Sequence, residues 1–395
     1  MSSEEYLKRG VSANKSEVKA AVASQDKGLF PGAFAKVSKD PAGDPDYCFL
    51  FHADGAGTKS SVAYLQYCES GDPTVFRGIA QDSFVMNSDD LLAVGACGPF
   101  YLSNTIGRNA QRIPGEVIAE LISAYADFAA KLGEYGIEVE LTGGETADVG
   151  DLVQTIICDS TLGARMRRDE VIDASNIGPG QLIVGLSSTG QSSYEDRENS
   201  GIASNGLTAA RHFILSPHYR EKYPESFASS LDPSLAYVGK YRLSDPLPGS
   251  SLSIGQALLS PTRSYLPVFK NFLKEWRSEV KGIIHNTGGA LTKSLNFGQS
   301  GTRFVKEELF ERPAIFKAIA EQGAISEKEM YEVFNLGQLM EVYCSEAAAE
   351  ALINEAAKFK IEAKIIGYTE KIKSKRSAEK ELIIRDCGKD YSYAN

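Results

Sequence analysis

The sequence predicts two domains in which strands and helices alternate, the second of them an α/β layer. Three observations carry this expectation. The chain has 395 residues, too many for one ordinary core. A turn-forming "IGPG" near Gly178 separates two element-rich halves, giving expected domains at residues 1–177 and 178–395. In the second half short apolar runs alternate with helical periods, the pattern of an α/β arrangement.

The first element is "YCFLF", residues 47–51, an apolar run that suits a covered strand. It delivers "HADGAGTKSS", residues 52–61, where Asp54, Gly55, Gly57, Thr58 and Lys59 crowd together. Glycines let backbone approach a ligand, a hydroxyl and an ammonium donate to phosphate, and a carboxylate binds a divalent cation, so the loop reads as a nucleotide phosphate site. Both familiar glycine-loop patterns fail on spacing. "GAGTKS" breaks the GK pair of the P-loop, and Ser60 stands where the dinucleotide pattern needs its third glycine.

"GIAQDSFVMNSDDLLAVGA", residues 78–96, reads as a helix. Its period puts Asp82, Met86 and Asp89 nearly in line, with Asp90 within a quarter turn of Asp82. Helical acids usually mark a solvated face. Here small and apolar flanks point them into a cleft, most simply one filled by a cation. The next helix starts at Pro114 and stops at Gly133, with a stripe that is core alone. "IEVEL", residues 137–141, alternates as a strand and is expected to end in a loop, "TGGETAD", carrying Gly144, Glu145 and Thr146.

"LVQTIIC", residues 152–158, and residues 182–186 read as further strands, and the polar stretch 191–203 as a mobile loop. Ser204, Asn205 and Gly206 can cap the helix that follows. "GIIHNTGGALTKSL", residues 282–295, is strand, glycine turn and helix, an order that aims helix-start N–H groups at whatever sits over Thr287, Gly288 and Gly289. A simple strand-to-helix connection has the same signature. His285 neighbours this turn but ends an apolar strand, so packing explains it equally well. The chain closes with "MYEVFNLGQLMEVYC", a helix over residues 347–358, and strands near 364–368 and 381–385.

Lys and Arg number 42 against 52 Asp and Glu, a net charge of −10, which argues against nucleic acid or an anionic membrane as partner. The six cysteines form no CxxC pair and read as buried free thiols of a reducing cytoplasm. The start carries no apolar signal region and no run is long enough to span a membrane, so a cytoplasmic protein is expected.

In the order "DGAGTK", "DSFVMNSDDLLAVGA", "GGETAD", "DEVIDASNIGPGQLIVGLSSTG", "SNGLTAAR", "SPTRSYLP", "HNTGGA" and "MYEVFNLG", the chain resembles the aminoimidazole ribonucleotide synthetase (phosphoribosylformylglycinamidine cyclo-ligase) family over nearly its whole length. Thiamine-monophosphate kinase and selenophosphate synthetase share mainly the first half. The resemblance implies an α+β N-terminal domain that binds ATP and pairs with its twin in a homodimer, and an α/β C-terminal domain contributing substrate loops. It implies ATP-dependent cyclisation of formylglycinamidine ribonucleotide, with ATP and Mg²⁺ as cofactors. Carried onto this chain, it makes Lys59 and Asp90 catalytic. Asp54, Gly55, Gly57, Thr58, Lys59, Gly144 and Thr146 would bind ATP, and Asp54, Asp82, Asp89, Asp90 and Glu145 the metal. Ser204, Asn205, Gly206, Thr287, Gly288 and Gly289 would hold the ribonucleotide.

The departures fall on the substrate side. Ala203 stands where the family has histidine, Asp89 where it has asparagine and Ala290 where it has a third glycine, and the 191–203 loop is long. Two other readings accommodate these changes: an ATP-using phosphoryl-transfer enzyme with another substrate, and a catalytically silent dimeric paralogue.

Overall fold

Fourteen strands form two mixed sheets and one short pair among the described residues, which in this computed structural model are 4–11, 16–323, 325–372 and 380–394. The first sheet contains β1 (Val37–Lys39), β2 (Tyr47–Gly55), β3 (Phe100–Arg108), β4 (Val139–Asp148) and β5 (Ile156–Arg167), in the order β1-β2-β5-β3-β4. Only β3 and β4 run parallel. Alternation along β2 and β5 explains how the sheet lies. Cys48, Leu50, Cys158, Leu162 and Ala164 are buried beneath the Arg77–Leu92 helix, which packs on both strands. Leu50 and Leu162 each contribute about 1.5–3 kcal/mol of burial. The opposite face carries Phe51, Tyr101 and Ile157, all exposed, Phe51 at 67%.

The second sheet contains β6 (Leu182–Ser187), β9 (Val280–His285), β10 (Thr302–Lys306), β11 (Gln338–Cys344), β12 (Ala363–Lys371), β13 (Glu381–Asp386) and β14 (Lys389–Ala394). Its order is β14-β13-β10-β12-β6-β11-β9, with β10 and β13 its parallel pair. The Glu346–Lys358 helix packs on β6 and β12, and the Leu266–Trp276 helix packs on that helix in turn. Strands and helices alternate through this half, as expected, although most neighbouring strands pair antiparallel.

Several elements differ from the sequence reading. "TGGETAD" is strand rather than loop, because β4 stays paired with β3 as far as Arg108 and Asp148. β5 begins at Ile156, later than expected, and runs on to Arg167. Residues 191–203 are tied down: Asn199–Ser200 (β8) pairs with Thr189–Gly190 (β7), and Glu195 takes two hydrogen bonds from the buried Arg263. The Leu207–Ile214 helix begins at Gly206 without any side-chain cap. After the HNTGG turn the chain forms a 3₁₀ helix, Ala290–Asn296. Cys48, Cys158 and Cys344 are buried free thiols, but Cys68 and Cys387 are exposed. No helix among the described residues is long and apolar enough to cross a membrane.

Candidate active site

The Arg77–Leu92 helix organises the site because it is buried almost all round and must satisfy three aspartates inside the protein. Each aspartate finds its partners far along the chain. Asp82 Oδ1 accepts from Lys59 Nζ at 2.9 Å, from the Thr262 amide at 2.7 Å and from the Thr262 hydroxyl at 2.6 Å. Its Oδ2 is buried without a partner. Asp89 accepts from the hydroxyls of Ser88 and Ser264, each at 3.0 Å, and from the Tyr265 amide at 2.9 Å. Burial raises the Asp89 pKa to about 6. Asp90 meets His285 Nδ1 at 2.7 Å and His52 Nε2 at 3.4 Å. Burial alone would raise the Asp90 pKa, but the hydrogen bond and charge of His285, with the charges of Lys293 and His52, hold it below the usual carboxylate value.

The DGAGTK turn leaves β2 beside this helix. Gly57 has φ +57°, and nothing lies within 4 Å of where its Cβ would stand, so the backbone is open to a ligand there. The space over Gly55 is filled instead: a Cβ would collide with the Asp159 carboxylate. Thr58 shares a 2.8 Å hydrogen bond with Thr208 in the SNGLT segment. Lys59 is fully buried and divides its donors between Asp82 and the Ser260 carbonyl. Burial lowers the Lys59 pKa, with Asp82 opposing.

The other candidates fall into two groups. Ser204 shares a hydrogen bond with Thr262 at 3.1 Å, and Asn205 Oδ1 is buried without a partner, which places the SNG segment beside Asp82. Thr287 stands two residues beyond His285, the partner of Asp90, and its hydroxyl accepts from Lys293 Nζ. Gly288 faces open space, while Gly289 needs its glycine for φ +89°. Glu145 stands apart. It pairs in register with Thr105, and Thr105 with Asp159, so alternation puts Glu145 on the open sheet face while Asp54 lies on the helix side in register with Ser160. Gly144 and Thr146 share that edge strand, with Asn104 seated against Gly144.

Within one chain, then, the five carboxylates expected at a metal do not converge, and no three His, Cys, Asp or Glu side chains among the described residues form a metal-holding group. Asp89 is spent on the Ser264 hydroxyl and the Tyr265 amide, and Glu145 is on the other face. Sequence reasoning missed Asp159, half-buried beside Asp54, whose pKa rises through burial and then through the Asp54 charge. It also missed Lys293, four residues beyond Gly289 and therefore able to turn back over its own turn. The "CDS" and "LTKS" around them carry no signal stronger than a strand acid and a helix lysine.

Comparison with known proteins gives the same two-part organisation. The model of the AIR synthase related protein N-terminal domain matches residues 33–164, and that of the C-terminal domain residues 178–378. Phosphoribosylformylglycinamidine cyclo-ligase of Methanocaldococcus jannaschii is 29% identical over 322 residues, covering 82% of this chain and 78% of that protein. The protein of the same name from Desulfotalea psychrophila is 27% identical over 347 residues, covering 86% and 83%. Among solved structures, phosphoribosylformylglycinamidine synthase II of Thermotoga maritima superposes with a TM-score of 0.55 at 15% identity, over 96% of this chain and 48% of that one. The hydrogenase maturation protein HypE superposes with a TM-score of 0.52 at 15% identity, over 88% of each. At such identities the two structures establish the shared fold, and the two family models, which together match most of the sequence, establish that this chain belongs to the AIR synthase related protein family.

Proposed function

We propose that the protein closes the imidazole ring of purine synthesis. ATP phosphorylates the formyl amide oxygen of formylglycinamidine ribonucleotide, an internal nitrogen attacks the same carbon, and phosphate leaves, giving aminoimidazole ribonucleotide and ADP. An amide oxygen is a poor leaving group and phosphate a good one, so the enzyme mainly positions reactants and offsets phosphoryl charge. One observation carries this reading. A single buried helix draws the DGAGTK turn, the SNG segment and the HNTGG turn together, through Asp82 and Asp90.

The open backbone at Gly57 and the Thr58 hydroxyl suit the nucleotide phosphates, and Thr287, Gly288, Gly289 and Lys293 suit the ribonucleotide phosphate. Lys59 is sealed between Asp82 and Ser260, so we assign it to positioning Asp82 rather than to touching phosphate. Asp90 as an anion only accepts, so the proton between it and His285 sits on Nδ1. His285 Nε2 is buried without a partner, and we assign it to the proton lost by the attacking nitrogen.

Mg²⁺, when bound, neutralises charge on the transferred phosphoryl group. Asp54, on the helix side of β2, fits a cation held by it and largely by the nucleotide itself, the usual manner for this ion. The exposed apolar sheet face fits a second copy of the chain, and the free cysteines fit a cytoplasmic enzyme. Phe51→Asp should then yield a monomer in sedimentation; a dimer that persists would move the interface elsewhere.

The activity is tested by ADP release with and without formylglycinamidine ribonucleotide, with aminoimidazole ribonucleotide measured by chromatography. The reading requires the two products in equal amounts and only with the ribonucleotide. ADP release that ignores it would remove the substrate, and no ADP release would remove the enzyme.

A further inference from the structure

Lys306, at the end of β10, and Glu341, in β11, form a fully buried ion pair at 2.7 Å that lies outside the site described above. Two strands, β12 and β6, separate them in the sheet. Gly185 stands opposite Glu341 in register, and a Cβ there would meet the Gln338 side chain at 3.3 Å. Glu341 Oε1 accepts from Lys306, from the Asn286 amide at 2.9 Å and from the Gln338 amide at 2.7 Å, while Oε2 accepts from the Tyr343 hydroxyl at 2.7 Å. Lys306 Nζ also donates to the Leu291 carbonyl at 2.6 Å.

A buried ion pair rarely stabilises a fold more than well-packed apolar residues would, because both charges lose their water. Burial lowers the Lys306 pKa accordingly, with Glu341 opposing. The pair's contacts give it another use, for they hold the first and last residues of the 286–291 turn. Asn286 is held by its side chain and Leu291 by its carbonyl. Between them Gly289 has φ +89° and Ala290 φ +44°. A non-glycine residue in this region is strained and persists only where its surroundings fix it.

We propose that Lys306 and Glu341 are positioning residues that clamp the Thr287–Gly289 turn in the shape that receives a phosphate monoester. That the monoester belongs to the ribonucleotide rests on the proposed function; the clamp does not. The test is the double variant Lys306→Met, Glu341→Gln in the full chain, which removes both charges and keeps an acceptor at 341. We expect amide hydrogen exchange across 287–291 to quicken about tenfold or more while β10 and β11 stay protected. The KM for formylglycinamidine ribonucleotide should rise roughly 10- to 100-fold, with the KM for ATP within about threefold. Unchanged exchange in the turn overturns the clamp. So does loss of protection throughout β10 and β11, which would make the pair a fold element only, and so does an unchanged ribonucleotide KM. If the wild type does not turn over this ribonucleotide, the functional reading falls and exchange alone decides the clamp.

Discussion

Two buried lysine–carboxylate pairs differ in one respect that separates their roles. Lys306–Glu341 is closed: both carboxylate oxygens have partners, and the ammonium holds a carbonyl as well. Lys59–Asp82 is open: Asp82 Oδ1 takes three hydrogen bonds and Oδ2 takes none. A buried carboxylate oxygen without a partner is costly, and such costs persist chiefly where function uses them. The closed pair therefore shapes a turn, and the open pair belongs to the chemistry.

The largest expected effect comes from breaking the open pair. Lys59→Met leaves the Asp82 charge buried and uncompensated, so we expect it to destabilise the protein by about 3–5 kcal/mol in denaturant titration. Turnover should also fall roughly 100-fold where the variant remains folded. A melting temperature and turnover near wild type would show that Asp82 finds another partner.

Asp89 tests the neighbouring position on the same helix. Two of its three accepted hydrogen bonds, from the Ser264 hydroxyl and the Tyr265 amide, fasten the helix to residues 264–265. Asp89→Ala should cost about 2–3 kcal/mol of stability, the scale of hydrogen bonds to a charged group. The Mg²⁺ concentration needed for half-maximal activity should stay the same. A shift in that concentration would return Asp89 to the metal site.

The effect that is smallest at neutral pH and grows only in acid concerns a buried ionisable group with no opposite charge beside it. His212 is buried next to Arg211, and its Nδ1 accepts from the Tyr237 amide at 3.2 Å. Burial, then the charges of Arg211 and Arg9, depress its pKa to about 2. In the unfolded chain it titrates near 6.5, so its contribution is complete above that pH and is lost as pH falls toward 2. Wild type should lose up to about 1.4 kcal/mol per pH unit below pH ~6 relative to His212→Asn, which keeps an acceptor for Tyr237. Parallel stability curves for the two proteins would mean that His212 protonates without cost.

The sequence already held much of this. Helical period and a glycine stop marked Gly115–Gly133, and a continuous apolar run marked the strand leading to the DGAGTK turn. The same period put Asp82, Asp89 and Asp90 on one side of their helix, yet could not say what they meet. Their partners Thr262, Tyr265 and His285 lie at least 175 residues further along the chain. "TGGETAD" failed for a related reason: pairing with β3 overrides the turn preference of its glycines, and only the folded sheet reveals the pairing. The closed pair was wholly invisible, since a lysine at the end of one strand and a glutamate in another read as ordinary surface residues until two intervening strands bring them face to face.

The contrast between the pairs is tested most directly by the kinetics of two charge-free double variants, Lys59→Met with Asp82→Leu and Lys306→Met with Glu341→Gln. Removing both partners spares each fold the uncompensated charge, so both proteins should melt near wild type. The first should lose kcat by roughly 100-fold, and the second should keep most of its kcat while the ribonucleotide KM rises. Equal losses of kcat, or a first variant that turns over normally, would contradict the assignment of chemistry to the open pair and geometry to the closed one.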